Sequence, residues 1–188
     1  MRRKVTLIST LDGNNTQEEL VAKTEKIDAL ISTVRELNHR VRPMLNEGIG
    51  GGQGNQVQAH ALLGEMRNRE LVASHGIKRM MLSNRQGVED AAIQNMMGTD
   101  DVRITLEEAL AIHQDPDKLS TRVVMSEFAS AREAILSLIR EIPDDQWSAT
   151  GDSKIEGELN SIDAVIDDLI AEDQKALQKI NELLAIKA

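Results

Sequence analysis

Apolar residues recur along the chain at helical spacing in long segments, of which the first is the clearest. It begins at Thr16, because Thr16-Gln17-Glu18-Glu19 has the form of a capping box, and Pro43 fits its end. Between these signals apolar residues recur every seven positions, and from Ile27 onward every three or four, as in a helix that packs in a bundle. This stripe consists of Leu20, Ile27, Leu30, Val34, Leu37 and Val41.

Three further segments have the same period, and no segment after residues 1–15, which could be a short extended segment or a loose tail, has a strand signal. They predict helices over about Val57 to Asn84, Leu119 to Ile142 and Leu159 to Ile186. A second capping box, Thr105 to Glu108, predicts a short extra helix that ends near Ile112. We therefore predict an all-α fold, an antiparallel four-helix bundle with a short extra helix. Residues 16–188 form this single domain, and residues 1–15 are a lead-in segment.

The charge and the residue content exclude several classes of protein. The chain has 22 Lys and Arg residues against 31 Asp and Glu residues, a net charge of −9, so a nucleic-acid partner is not expected. There is no cysteine, which excludes disulfides and a thiol nucleophile in the chain. No apolar run approaches the roughly 18 residues of a membrane span, and we expect a cytoplasmic protein without a membrane partner.

A run of glycines separates the first two predicted helices. Gly48 to Gly54 could cradle a phosphate, but a P-loop ends in Gly-Lys-Ser/Thr, and here Gln53-Gly54-Asn55 stands instead. No strand precedes the run. The sequence therefore favours a flexible interhelix loop over an anion site.

A few polar residues lie on or near the apolar stripes. His60 and Arg67 share a face of the second helix with Gly64, and Asp173 interrupts the stripe of the last helix. Asp173 could pair with Arg67, although helix rotation decides whether either side chain faces a pocket. We expect Trp147 to be a structural plug near an interhelix turn. The histidines without partner spacing, expected at the surface, are His39, His75 and His113.

The second half of the chain contains four motifs: Glu127 to Arg132, Pro143-Asp144-Asp145-Gln146-Trp147, Gly151 with Gly157, and Ile170 to Ile180. Together these motifs resemble the DinB/YfiT-like family of helical bundles. The segment Val57 to Glu65 is similar to the second helix of the family. The resemblance extends over about residues 16–186. It implies an up-down-down-up bundle, which is often dimeric. Relatives include thiol-dependent transferases and isomerases.

The resemblance also implies a divalent metal, commonly zinc, nickel or iron, between helices. Three histidines bind it in the family, one from the second helix and two from the last helix, four residues apart. His60 matches the first ligand, Glu172 stands at the second position and Ala176, which cannot bind a metal, stands at the third. Glu172 can replace a histidine in principle. His60 and Glu172 could instead form a histidine–carboxylate pair.

These departures favour one function over two alternatives. The first prediction is a DinB-like bundle without the three-histidine site and without a cofactor, which acts as a small-ligand or protein-interaction module, as a homodimer. The alternative is a divergent metal-dependent enzyme, of transferase, isomerase or hydrolase type, that uses His60 and Glu172. A metal-free acid–base enzyme that uses His60, Glu172 and Arg67 is a third hypothesis.

Overall fold

The protein is all α-helical in the residues that its computed structural model describes, which are 12–83, 111, 113–147 and 161–184. These residues contain four long helices, α1 (Asp12–Val41), α2 (Asn55–Ser83), α3 (Thr121–Glu141) and α4 (Ile162–Leu184). Shorter helical turns occur at Arg42–Met44, Pro116–Lys118 and Asp144–Trp147. The predicted helical bundle is confirmed, although α1 begins four residues before Thr16. The predicted extra helix before Ile112 lies outside the described residues, apart from Ala111.

Contacts near the helix ends show how α1 runs relative to α3 and α4. Near the start of α1, Lys23 Nζ donates to the carbonyl oxygen of Ile142, just after the end of α3, over 2.6 Å. One turn later, Lys26 Nζ lies 2.8 Å from Asp167 Oδ1, near the start of α4. Helix α1 is therefore antiparallel to α3 and parallel to α4.

The direction of α2 follows from its first turns. Asn55 donates to the carbonyl oxygen of Leu183, at the end of α4, over 3.0 Å. His60 Nδ1 lies 3.0 Å from the hydroxyl of Thr121, the first residue of α3. Helix α2 is therefore antiparallel to α4 and parallel to α3, and the four helices run up, down, down and up.

The apolar stripes meet in a core that has two buried clusters. The predicted apolar stripe along α3 and just after it is buried at every position, and it consists of Val124, Phe128, Ala131, Ile135, Leu138 and Ile142. The stripe of α1 is buried or half-buried wherever its side chains are described. Trp147 is 4 % exposed in the first cluster, as expected of a structural plug, and Lys23 Nζ lies 5.5 Å from its ring centroid. None of the helices in the described ranges has both the length and the apolar content to cross a membrane.

The glycine run is the predicted interhelix loop, but its backbone is tied to the segment before α3. The amide of Gly50 donates to the carbonyl oxygen of Leu119 over 3.0 Å, and Ile49 forms a β-bridge with Ser120. Gly51 has a φ of +80° and lies against His60, so closely that a Cβ atom there would be 2.3 Å from His60 Cβ. The loop thereby packs the start of α2 against the start of α3.

Candidate functional site

A buried ionic cluster joins all four helices at the middle of the bundle. Arg132 of α3 donates through Nε to Glu70 Oε2 of α2 over 2.8 Å, and its Nη2 bonds the other oxygen of Glu70. The same Nη2 donates to Asp173 Oδ2 of α4 over 2.7 Å, and Nη1 donates to the Leu30 carbonyl oxygen of α1 over 3.1 Å. All three charged side chains are at most 1 % exposed. We call Arg132, Glu70 and Asp173 the charged triad.

The charged triad contains two carboxyl groups and one guanidinium. Burial raises the pKa of the Asp173 carboxyl above its ordinary value of 3.8, and it raises that of Glu70 above 4.5. Arg132 lowers the pKa of both carboxyl groups and so opposes the effect of burial. It binds Glu70 through two parallel hydrogen bonds, an arrangement that stabilises a carboxylate strongly. The cluster therefore links the stability of the fold to pH.

Replacing Asp173 or its neighbour Glu172 by the corresponding amide should change the pH dependence of the free energy of unfolding in opposite directions. Because the folded-state pKa of Asp173 is raised, its contribution to the free energy of unfolding is complete below 3.8 and is lost as the pH rises. The hydrogen bond from Lys175 lowers the pKa of Glu172 below 4.5, so its contribution is present above 4.5 and is lost in acid.

We therefore expect the stability of Asp173→Asn, relative to the unsubstituted protein, to improve from acid to alkaline pH, whereas that of Glu172→Gln worsens. Urea unfolding of the three proteins at a series of pH values measures both trends. Parallel curves for the two variants would contradict the assignment.

His60 is buried, and both of its ring nitrogens have partners in the protein. Nε2 lies 2.9 Å from the carbonyl oxygen of Pro116, which can only accept, so Nε2 carries the hydrogen of this bond. Nδ1 shares a hydrogen bond with the hydroxyl of Thr121 over 3.0 Å, and that hydroxyl is completely buried. His60 thus connects α2 to α3 and to the segment before it.

Arg67 lies on the same buried face, but its partners differ from the predicted one. Its Nη2 donates to the carbonyl oxygen of Gln114 over 2.6 Å, and its Nε lies 3.3 Å from Glu127 Oε2. The predicted pair of Arg67 with Asp173 is therefore wrong, since Asp173 belongs to the charged triad. His39 and His113 are exposed as predicted, whereas His75 is buried in α2, against the prediction.

Glu172 lies at the surface between α2 and α4, and it does not meet His60. Its Oε2 lies 3.3 Å from Arg69 Nη2, and its Oε1 accepts a hydrogen bond from Lys175. Arg69 follows His60 by nine residues, which is about 13 Å along a helix. Since α2 and α4 are antiparallel, the residues of α2 that face Glu172 and Ala176 come after His60 in the sequence. The structure therefore does not form the histidine–carboxylate pair.

The donors at the three family positions do not fit a metal ion. Nε2 of His60 donates a hydrogen bond to the carbonyl oxygen of Pro116, and Nδ1 is hydrogen-bonded to the hydroxyl of Thr121. Glu172 already has two cationic partners, and Ala176 is buried in the apolar core. Over the described ranges, no three His, Asp or Glu side chains lie close enough together to hold a metal. The metal site of His60 and Glu172 stays a prediction from the resemblance.

Two grooves among the described residues are candidate binding sites. The larger, of about 480 Å³, lies between the start of α2 and the end of α4, and we call it the α2–α4 groove. Its lining consists of Asn55, Gln58, Ala61, Leu62, Glu65, Lys179, Glu182 and Leu183. The other, of about 380 Å³, lies between α1 and α4 and is lined mainly by hydroxyl and carboxamide side chains.

Two residues of the charged triad, Arg132 and Glu70, were not predicted as partners of Asp173, although the sequence contains a signal for Glu70. Leu63, Met66, Glu70, Ala73 and Ile77 follow each other at steps of three and four residues. All five are buried, so a carboxylate on this otherwise apolar face required a buried cationic partner.

Comparisons of the sequence with family models and with curated proteins give no match. The function proposed for this chain is therefore based on its own residues and their contacts.

Proposed function

We propose that the protein is a DinB/YfiT-like bundle that binds a small organic molecule in the α2–α4 groove, without a metal-dependent step. The order of helix directions supports this assignment, because it is the up-down-down-up order that the resemblance implies. The burial of Leu177 and Ile180 also supports it, since these two residues keep the packing positions of the family motif. The homodimer stays a prediction, which a measured mass in solution would test.

The composition of the α2–α4 groove is the observation on which the binding function rests. A volume of about 480 Å³ lies within the range of about 300–1,000 Å³ that is typical of small-molecule sites. Ala61, Leu62 and Leu183 give it an apolar floor, and amide and charged side chains surround this floor. Such a site binds the apolar body of a ligand and orients its polar group.

The partners of His60 and Glu172 favour the binding function over a metal-dependent enzyme. Each residue already makes the hydrogen bonds that a metal would have to replace. Arg69 places a cationic group beside Glu172, so the charge of this carboxylate is compensated within the protein. The same bonds count against acid–base catalysis by a His60–Glu172 pair.

Filling the groove should remove binding while the fold persists. The probe is the neutral apolar dye N-phenyl-1-naphthylamine, whose fluorescence increases in apolar sites. We expect saturable binding to the unsubstituted protein. In Ala61→Phe we expect an affinity at least about tenfold lower, a loss of about 1.4 kcal/mol, because the new ring takes the place of the dye.

Ala171→Phe is the matched control, because Ala171 is exposed on α4 and lines neither groove. This variant should bind the dye as the unsubstituted protein does, and thermal melts should show that both variants are folded. The proposed function is contradicted if the dye does not bind to the unsubstituted protein or binds equally to Ala61→Phe.

A further inference from the structure

The charges around the α2–α4 groove are unequal. Two carboxylates, those of Glu65 and Glu182, line it together with a single cationic group, that of Lys179. Glu65 lies one helical turn after Ala61, and the rise of a helix places it about 6 Å further along α2. The apolar surface at Ala61 and the carboxylate of Glu65 are thus separated by a distance that a few methylene groups of a ligand can span.

Lys179, the cation that lines the groove, forms no ion pair with Glu65 in the described residues. Its charge contributes to the lowered pKa of Glu172, a carboxylate outside the groove. Glu182 accepts a hydrogen bond from Gln178 Nε2 over 3.0 Å. In the part of the chain that the structure describes, Glu65 is exposed and has neither an ion pair nor a hydrogen bond from its side chain. Its carboxylate is therefore open to a ligand.

The net charge of the whole chain also favours a cationic ligand over an anionic one. The net charge is −9, and residues 95–188, which include α4, have nine basic residues against twenty acidic ones. A field of this sign raises the local concentration of small cations and lowers that of anions.

We propose that the ligand of the α2–α4 groove is an organic cation, an amine with an apolar body. The apolar body lies on Ala61, Leu62 and Leu183, and the ammonium group pairs with the Glu65 carboxylate. This assignment rests on the proposed function and adds the chemical class of its ligand.

Two dyes with the same fluorophore and opposite charge test the class. Dansylcadaverine ends in an ammonium group and dansylglycine ends in a carboxylate. We expect dansylcadaverine to bind more tightly, and we expect Glu65→Gln to lower its affinity about threefold to fivefold, as for an exposed ion pair. Glu133→Gln, an exposed carboxylate of α3 outside the groove, should leave the affinity unchanged. Added salt should weaken dansylcadaverine binding.

Equal affinities for the two dyes, tighter binding of dansylglycine, or no effect of Glu65→Gln would each overturn the assignment. Thermal melts of Glu65→Gln ensure that a loss of affinity is not a loss of fold. The neutral dye separates the two proposals. If it binds and is excluded by Ala61→Phe, while the charged dyes show no preference, only the ligand class is wrong. If it does not bind, the proposed function itself is wrong.

Discussion

Arg132→Met is expected to destabilise the protein by about 3–5 kcal/mol, because it leaves two buried carboxyl groups without their cation. Met has a similar length and is apolar, so the packing changes little while every hydrogen bond of the guanidinium is lost. Glu70 loses two bonds, and Asp173 and the Leu30 carbonyl lose one each. The free energy of unfolding in urea at neutral pH measures the loss.

Arg140→Met is the matched control on the same helix. Arg140 Nη1 lies 3.4 Å from Glu133 Oε1, and their side chains are 46 % and 66 % exposed, so we expect a change of about 0–1 kcal/mol. The triple variant Arg132→Met, Glu70→Gln, Asp173→Asn should recover part of the loss, since it buries no charge. Equal effects of the two arginine substitutions would show that the charged triad is not a buried ionic cluster.

Gly51→Ala is expected to cost about 2–5 kcal/mol, from a strained backbone and a steric clash together. The φ of +80° disfavours any side chain, and the new Cβ would lie 2.3 Å from His60 Cβ and 2.8 Å from His60 Cγ. His60 cannot turn away without losing its bonds to Thr121 and Pro116. Thermal and urea unfolding measure the cost.

Gly54→Ala separates the two causes. Gly54 also has a positive φ, +59°, but a Cβ there meets nothing within 4 Å. We therefore expect this variant to show only the backbone cost, of about 1–2 kcal/mol. If Gly51→Ala is no more costly than Gly54→Ala, the close approach of the loop to His60 does not constrain the fold.

The helices could be predicted because their information is local. The stripes of α3 and α4 follow the helical period, and Pro43 and Pro143 mark two of the ends. The interruption at Asp173 was also visible, but its partner was not. Arg132 is 41 residues away in the sequence, and only the packing of α3 against α4 brings the two together.

The candidate site was less predictable because it depends on the axial position of one helix against another. The resemblance to the family predicted that His60 and Glu172 face each other across two helices. The positions of motifs in a sequence, however, do not determine which turns of two packed helices lie at the same height along the bundle. In the structure Arg69 is level with Glu172 near the middle of the bundle, whereas His60 lies nearer one end, against Thr121. Similarly, the α2–α4 groove combines residues from two segments that are more than one hundred positions apart.

The meeting of all four helices at one guanidinium has a consequence for how freely the core can evolve. A core of Leu, Ile, Val, Met and Ala side chains permits more than one packing arrangement, since such residues can repack after a helix slides along its neighbour. A slide of one turn, about 5.4 Å, would separate Arg132 from Glu70 or Asp173 and leave buried charges unmatched. The charged triad therefore selects one axial register for the bundle, and we expect apolar core positions to tolerate exchange as long as these three residues are kept together.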